Sequence, residues 1–160
     1  MAAIEAKLAE LGFVLPAPPQ VPQNVVLPFS WVRVDGSRAF VSGHVALNPD
    51  GSLAAPFGKV GEEVSLEQAC GSARLVALAM LGSLKRALGD LDRVTAWLRV
   101  FGMVNTAPNF NLTPAVINGF SDLILQLYGP ERGGHARSAV GVAMLPFGTP
   151  VEIEAEVAIK

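Results

Sequence analysis

The 160 residues carry a formal net charge of −2, are 51% hydrophobic and are only 16% charged, against about 25% charged in an average soluble domain. The 12 Lys and Arg are scattered and form no basic stripe of the kind a phosphate backbone requires, which argues against nucleic acid as a partner. The length fits a single domain with one core, and the apolar excess predicts that some surface is buried between subunits.

The chain opens with an amphipathic helix over residues 2–12, with Ile4, Leu8 and Leu11 at helical spacing and Gly12 as its stop. A proline-rich connector, Leu15-Pro-Ala-Pro-Pro-Gln-Val-Pro-Gln23, follows, and its fixed φ angles favour an extended crossing of the surface. Residues 1–24 therefore read as an addition to a core running over 25–160 within one domain. Trp31–Val34 and Ala39–Ser42 read as a β-hairpin turned by Asp35-Gly36, and Asn48-Pro-Asp-Gly51 makes a further turn. Ser65 with Gln68 forms a capping box for one long helix that ends at Gly89. Its small residues, including Ala69, Ala73 and Ala77, leave a smooth face suited to lying on a sheet. Cys70 sits in that apolar pattern as a packing residue, and a lone cysteine forms no internal disulfide.

Val94–Val104 is rich in β-branched and aromatic residues and predicts a buried strand. Thr113-Pro114 reads as an N-cap followed by proline at the first helical position, opening an apolar stripe that ends at Gly129-Pro130. The last 26 residues, His135 to Lys160, predict a closing hairpin. In its second strand Val151, Ile153, Ala155, Val157 and Ile159 alternate with Glu152, Glu154 and Glu156. The longest apolar run, Leu75–Leu81, is far short of the roughly 20 residues a bilayer requires, and the N-terminus lacks the apolar core of a signal peptide. A cytoplasmic protein without a membrane span is the expectation.

No phosphate loop, dinucleotide fingerprint, nucleophile elbow or zinc-ligand spacing is present, so neither cofactor nor metal is expected. Arg137 stands at the start of an otherwise apolar strand and requires an anion or water. Two readings fit it: a salt bridge to a glutamate on the sheet face, or a bidentate clamp for a ligand carboxylate. Glu152 poses the same choice between a solvated charge and a carboxylate that orients or deprotonates a water.

His135-Ala-Arg-Ser-Ala-Val-Gly-Val-Ala-Met-Leu-Pro146 followed by Val151-Glu-Ile-Glu-Ala155 closely resembles the C-terminal motif of the RidA/YjgF family, formerly called endoribonuclease L-PSP. The resemblance extends through Val41-Ser42-Gly43-His44, Asn48–Gly51, Gly89–Val94 and Val116-Ile-Asn-Gly-Phe120, and covers the chain from about residue 25 onward. It implies a chorismate-mutase-like α+β fold, a mixed sheet covered on one face by two helices, to which the short N-terminal helix is an extra. It also implies a homotrimer with clefts between subunits. The archetypal activity is cofactor-free hydrolysis of reactive 2-imino or enamine acids to 2-keto acids and ammonia.

By this resemblance Arg137 matches the carboxylate-gripping arginine, Glu152 the glutamate associated with the attacking water, and Ser42, Gly43 and Asn118 further ligand-binding positions of the cleft. His44 stands where glutamine is frequent and Gly141 where glutamate is common. Ala139 replaces a cysteine of the deaminase-competent branch, and Phe29 replaces its tyrosine, removing a hydroxyl from the pocket. These departures place the chain in a divergent subgroup. Two functions follow: imine hydrolysis, or binding of a small carboxylate without turnover. The old ribonuclease label finds no support in the charge balance or in any histidine pair.

Overall fold

The computed structural model describes residues 3–160. Helix α1 (Ala3–Glu10) is pinned to the body by Ile4 and Leu8, each 3% exposed, and by a 2.7 Å ion pair from Lys85 to Glu5. Strands β1 (Val32–Asp35) and β2 (Arg38–Val45) form the predicted hairpin, with β2 longer than its sequence pattern implied. Helix α2 (Leu66–Leu88) has the boundaries the caps dictate. The Ser65 hydroxyl accepts from the Gln68 amide, the Gln68 side chain accepts from the Ser65 amide, and Gly89 closes the helix at φ 80°.

Strand β3 (Val94–Asn105), helix α3 (Thr113–Gly133), strand β4 (Ala136–Val142) and strand β5 (Val151–Ile159) complete the chain. The sheet order is β1-β2-β5-β3-β4, with α2 and α3 on one face. The helices press on each other and on the sheet through glycines. A Cβ on Gly119 would lie 2.2 Å from the Cys70 carbonyl oxygen of α2, and one on Gly102 of β3 would lie 2.6 Å from Ile117 of α3. Beneath them Trp97 and Phe120 meet edge to face at 5.8 Å in a fully buried centre.

Two expectations are corrected. The last two strands are not a hairpin: β3 lies between them, pairing in parallel with β4 and antiparallel with β5. The crossover through α3 returns the chain parallel to β3, and residues 143–150 then carry it past the end of β3 into the slot beside β2. That passage is tied down by Asn105, whose amide donates to the Pro150 carbonyl at 2.9 Å, and by Lys59, whose ammonium donates to the Ala143 carbonyl. Thr113 is likewise not the N-cap of α3. It is the first helical residue, and its hydroxyl donates to the Ala139 carbonyl of β4 at 3.0 Å rather than accepting from the helix's own amides as an N-cap would. At its other end α3 breaks at Gly129 (φ 73°, ψ 172°), as the Gly-Pro pair foretold, and one further turn runs to Gly133. Among the described residues no helix is long and apolar enough to cross a membrane.

Candidate functional site

The predicted site residues fall into two groups, one around Glu152 on the helix-free face of the sheet and one around Arg137 on the helix-covered face, with His44 of the first group turned toward the helices. The first is built by an irregularity in β2. Its register against β5 slips between Val41, opposite Ala155, and His44, opposite Ile153, so Ser42 and Gly43 together oppose Glu154. This bulge inverts the alternation: Ala39 and Val41 point to the helices before it, and His44 does so after it. Glu152, on the helix-free face, lies against Gly43 so closely that a Cβ there would come within 3.0 Å of the carboxyl carbon. A side chain at this position would crowd the Glu152 carboxylate and displace it, while the φ of Gly43 makes no demand for glycine.

Glu152 makes no hydrogen bond or ion pair with the described residues, and burial, aided by the Glu154 charge, raises its pKa. It sits in a pocket of about 780 Å³ with Gly43, His44, Phe29 and Trp31. Phe29, half exposed, stacks edge to face on Trp31 at 5.1 Å. Ser42 holds the strand entrance in place: its hydroxyl donates to the Ser30 carbonyl at 2.6 Å and its amide to that of Trp31.

His44 contributes its ring but not its nitrogens. Nδ1 lies 2.6 Å from the Ser42 carbonyl, which only accepts, so Nδ1 carries the proton. Nε2 therefore accepts from the Ser83 hydroxyl at 2.8 Å, and that oxygen in turn accepts from Arg86 at 3.0 Å. Burial, with a smaller contribution from the Arg86 charge, lowers the His44 pKa to about 4 against the backbone bond that favours the charged form.

The second group lies on β4, at the sheet edge beside α3. Arg137 donates to the Asn118 carbonyl oxygen Oδ1 at 2.8 Å, to the Ser121 hydroxyl at 3.1 Å and to the Pro114 carbonyl at 3.4 Å. All three acceptors are neutral. No salt bridge joins Arg137 to a sheet glutamate among the described residues, so the first of its two sequence readings is not what the chain forms. The guanidinium is aimed by helix α3 while its positive charge stays uncompensated, and Ala139 follows on the same face, opposite Gly102. His135 completes the group: Nδ1 donates to the Gly133 carbonyl at 2.7 Å and Nε2 accepts from Ser121 at 2.9 Å. Burial and the neighbouring Arg137 charge lower its pKa.

Within one chain the two groups do not meet. Arg137 pairs with Val100, on the helix side of β3, whereas Glu152 pairs with Met103, whose side chain is on the other face. Sequence reasoning missed the part played by Trp31 and by the connector, whose residues 19–22, Val25 and Leu27 wall the pocket containing Glu152. The signal was present in the unusually apolar run Val25-Val-Leu-Pro-Phe29 inside a proline-rich loop.

This arrangement is the fold of the RidA-like proteins. RidA from the Antarctic bacterium Psychrobacter sp. PAMC 21119 superposes with a TM-score of 0.59 at 24% identity, covering 89% of this chain and 94% of its own, and members of the RidA/YjgF family recur among the structural neighbours. Nearer relatives share the N-terminal addition as well. Protein TCP17 of Trypanosoma cruzi is 40% identical over 157 residues, 98% of this chain and 94% of its own. Atu1372 of Agrobacterium tumefaciens, a crystal structure of a protein of unknown function, is 38% identical with a TM-score of 0.86, covering 98% of this chain and 92% of its own. The chain belongs to one protein family with TCP17 and Atu1372. No family model matches it.

Proposed function

We propose that the chain acts as a homotrimer in which Glu152 of one subunit faces Arg137 of the next across a shared cleft. The observation that carries this reading is the separation of the two charges: Arg137 is held by three neutral acceptors, neither charge has a countercharge among the described residues, and they occupy opposite faces of the same sheet. A cation and a carboxylate left uncompensated on opposite faces of one sheet are compatible with a ligand or a second copy supplying the missing half. The helix-free sheet face adds support, because it carries Phe40, Phe101 and Met103 alongside the charged residues. Such apolar area suits an interface between subunits.

In the assembled cleft Arg137 grips the carboxylate of a small 2-imino or enamine acid. The planar fork, already oriented by Asn118, Ser121 and the Pro114 carbonyl, retains donors for a bidentate contact. Glu152, its pKa raised by burial, has the basicity to take a proton from water at the iminium carbon. The iminium carbon is already electrophilic, so placement of base, water and substrate carries most of the rate. Water adds to the C=N bond as Glu152 takes its proton, Glu152 returns that proton to the amine of the tetrahedral carbinolamine, and the C–N bond breaks to release 2-keto acid and ammonia. No cofactor takes part in this scheme.

A second reading is favoured by Ala139 and Phe29, which supply neither thiol nor hydroxyl to the cleft: the same clamp holds a carboxylate without turnover, as a sensor or buffer, in a divergent branch of the RidA/YjgF family. Ammonia release from freshly generated 2-imino acids separates the two. The hydrolase reading expects release by the wild type and none by Arg137→Ala; a wild type that binds 2-keto acids but releases no ammonia leaves the binding module.

A further inference from the structure

Resting on the clamp reading, the geometry points to a ligand whose portion remote from the carboxylate is large, apolar and aromatic, received by a wall that the N-terminal connector adds to the Glu152 pocket. Val21, Val25, Leu27, Leu53, Trp31 and Phe147 form that wall. The volume of about 780 Å³ falls in the range of roughly 300–1,000 Å³ that small-molecule sites occupy, and far exceeds what the side chain of an alanine- or serine-derived acid would fill.

The polar side chains of the lining explain the preference. Gln20 donates to the Asp50 carbonyl at 3.2 Å, the Ser52 hydroxyl donates to the Asp50 carboxylate at 2.6 Å, and both His44 nitrogens are engaged within the protein. Among the described lining side chains Glu152, the Trp31 indole and the remaining amide groups of Gln20 at the rim retain hydrogen-bonding capacity toward a guest, and most of the remaining lining side chains are apolar. A polar tail against the valine, leucine and proline part of the lining would give up water for few partners, whereas an aromatic tail gains burial and ring contacts.

The wall is also fixed rather than draped. The Ala17 amide donates to the Pro49 carbonyl at 2.9 Å, the Gln20 amide to the Gly51 carbonyl at 3.0 Å, and Arg86 donates to the Pro16 carbonyl at 3.2 Å. Gly51, at φ 86°, admits the Pro18 carbonyl so closely that a Cβ would lie 2.1 Å from its oxygen. Asn24 at φ 66° turns the connector so that Val25 is brought back to the pocket.

The test is a calorimetric series on the full chain with pyruvate, 4-methyl-2-oxopentanoate and phenylpyruvate. Affinity is expected to rise along the series, with phenylpyruvate at least tenfold tighter than pyruvate, and Val21→Ser combined with Val25→Ser to narrow that ratio at least threefold. Both valines are partly exposed, so folding does not depend on them. Equal affinity for pyruvate and phenylpyruvate in the wild type, with both lost in Arg137→Ala, overturns the apolar wall and leaves the clamp standing. A graded series that survives Arg137→Ala unchanged upholds the wall and removes the clamp. Absence of binding by every acid overturns both.

Discussion

His44 and His135 stand in nearly identical networks at opposite ends of the sheet, and the difference lies in where each arginine finishes. In both, a carbonyl two residues upstream accepts from Nδ1, a serine hydroxyl donates to Nε2, and an arginine donates to that serine. Arg86 then spends a further donor on the Pro16 carbonyl inside the molecule, with a pKa lowered by burial. Arg137 reaches only the exposed Asn118 and the Pro114 carbonyl. The same chain of hydrogen bonds thus fastens a connector in one place and aims a guanidinium outward in the other. A relay of this kind is a positioning device, and its surroundings decide whether what it positions is structural or functional.

The largest expected break in this comparison comes from Glu152, the carboxylate that the proposed trimer sets opposite the outward arginine. Glu152→Gln removes the proton acceptor while leaving the shape of the pocket, and ammonia release from 2-imino acids is expected to fall by about 10²–10⁴. Binding of 2-keto acids, measured by calorimetry, is expected to survive that substitution.

Next comes the contrast between the two arginines. Arg137→Ala is expected to weaken carboxylate binding by roughly a hundredfold, near 3 kcal/mol, without a matching loss in melting temperature. Arg86→Ala is expected to do the reverse, costing about 1–3 kcal/mol of stability, since it leaves Ser83 and the Pro16 carbonyl short of a donor, while pyruvate affinity changes by less than about threefold. Thermal melting and calorimetry on both variants decide it, and equal effects of the two would erase the distinction.

A smaller effect follows from pH. The folded protein holds His44 neutral with its pKa lowered from 6.5 to about 4, so between these values the unfolded chain binds more protons than the folded one. Stability present above pH 6.5 is therefore lost as pH falls toward 4, by about 3 kcal/mol for this group. His135, also lowered, acts in the same direction. Urea midpoints measured from pH 7 to 4 are expected to decline, and His44→Gln is expected to remove most of that slope.

How much of this was legible in the sequence depends on how local its cause is. The α2 boundaries were readable because Ser65, Gln68 and Gly89 act within one helical turn. The break at Gly129-Pro130 was readable for the same reason. Partner choice among strands is not local: the alternation of Val151 to Ile159 reported that β5 has one buried face but not that β3 separates it from β4. The bulge at Ser42-Gly43, which turns His44 inward, follows from packing against α2 and leaves no mark in the pattern of β2. Arg137 and Glu152 stood out as charges in apolar strands, yet their placement on opposite faces required the fold. The connector's prolines signalled an extended crossing, whereas its role as a pocket wall depended on Gly51 admitting it.

The central claim is that Arg137 and Glu152 work together only across a subunit boundary, and subunit mixing tests it most directly. Arg137→Ala and Glu152→Gln chains, each inactive alone, are unfolded together and refolded as mixed trimers. If each cleft takes its arginine from one subunit and its glutamate from the next, roughly a quarter of the clefts recover both, and ammonia release is expected to return to about that fraction of wild type. Mixed trimers that remain as inactive as their parents would contradict the account.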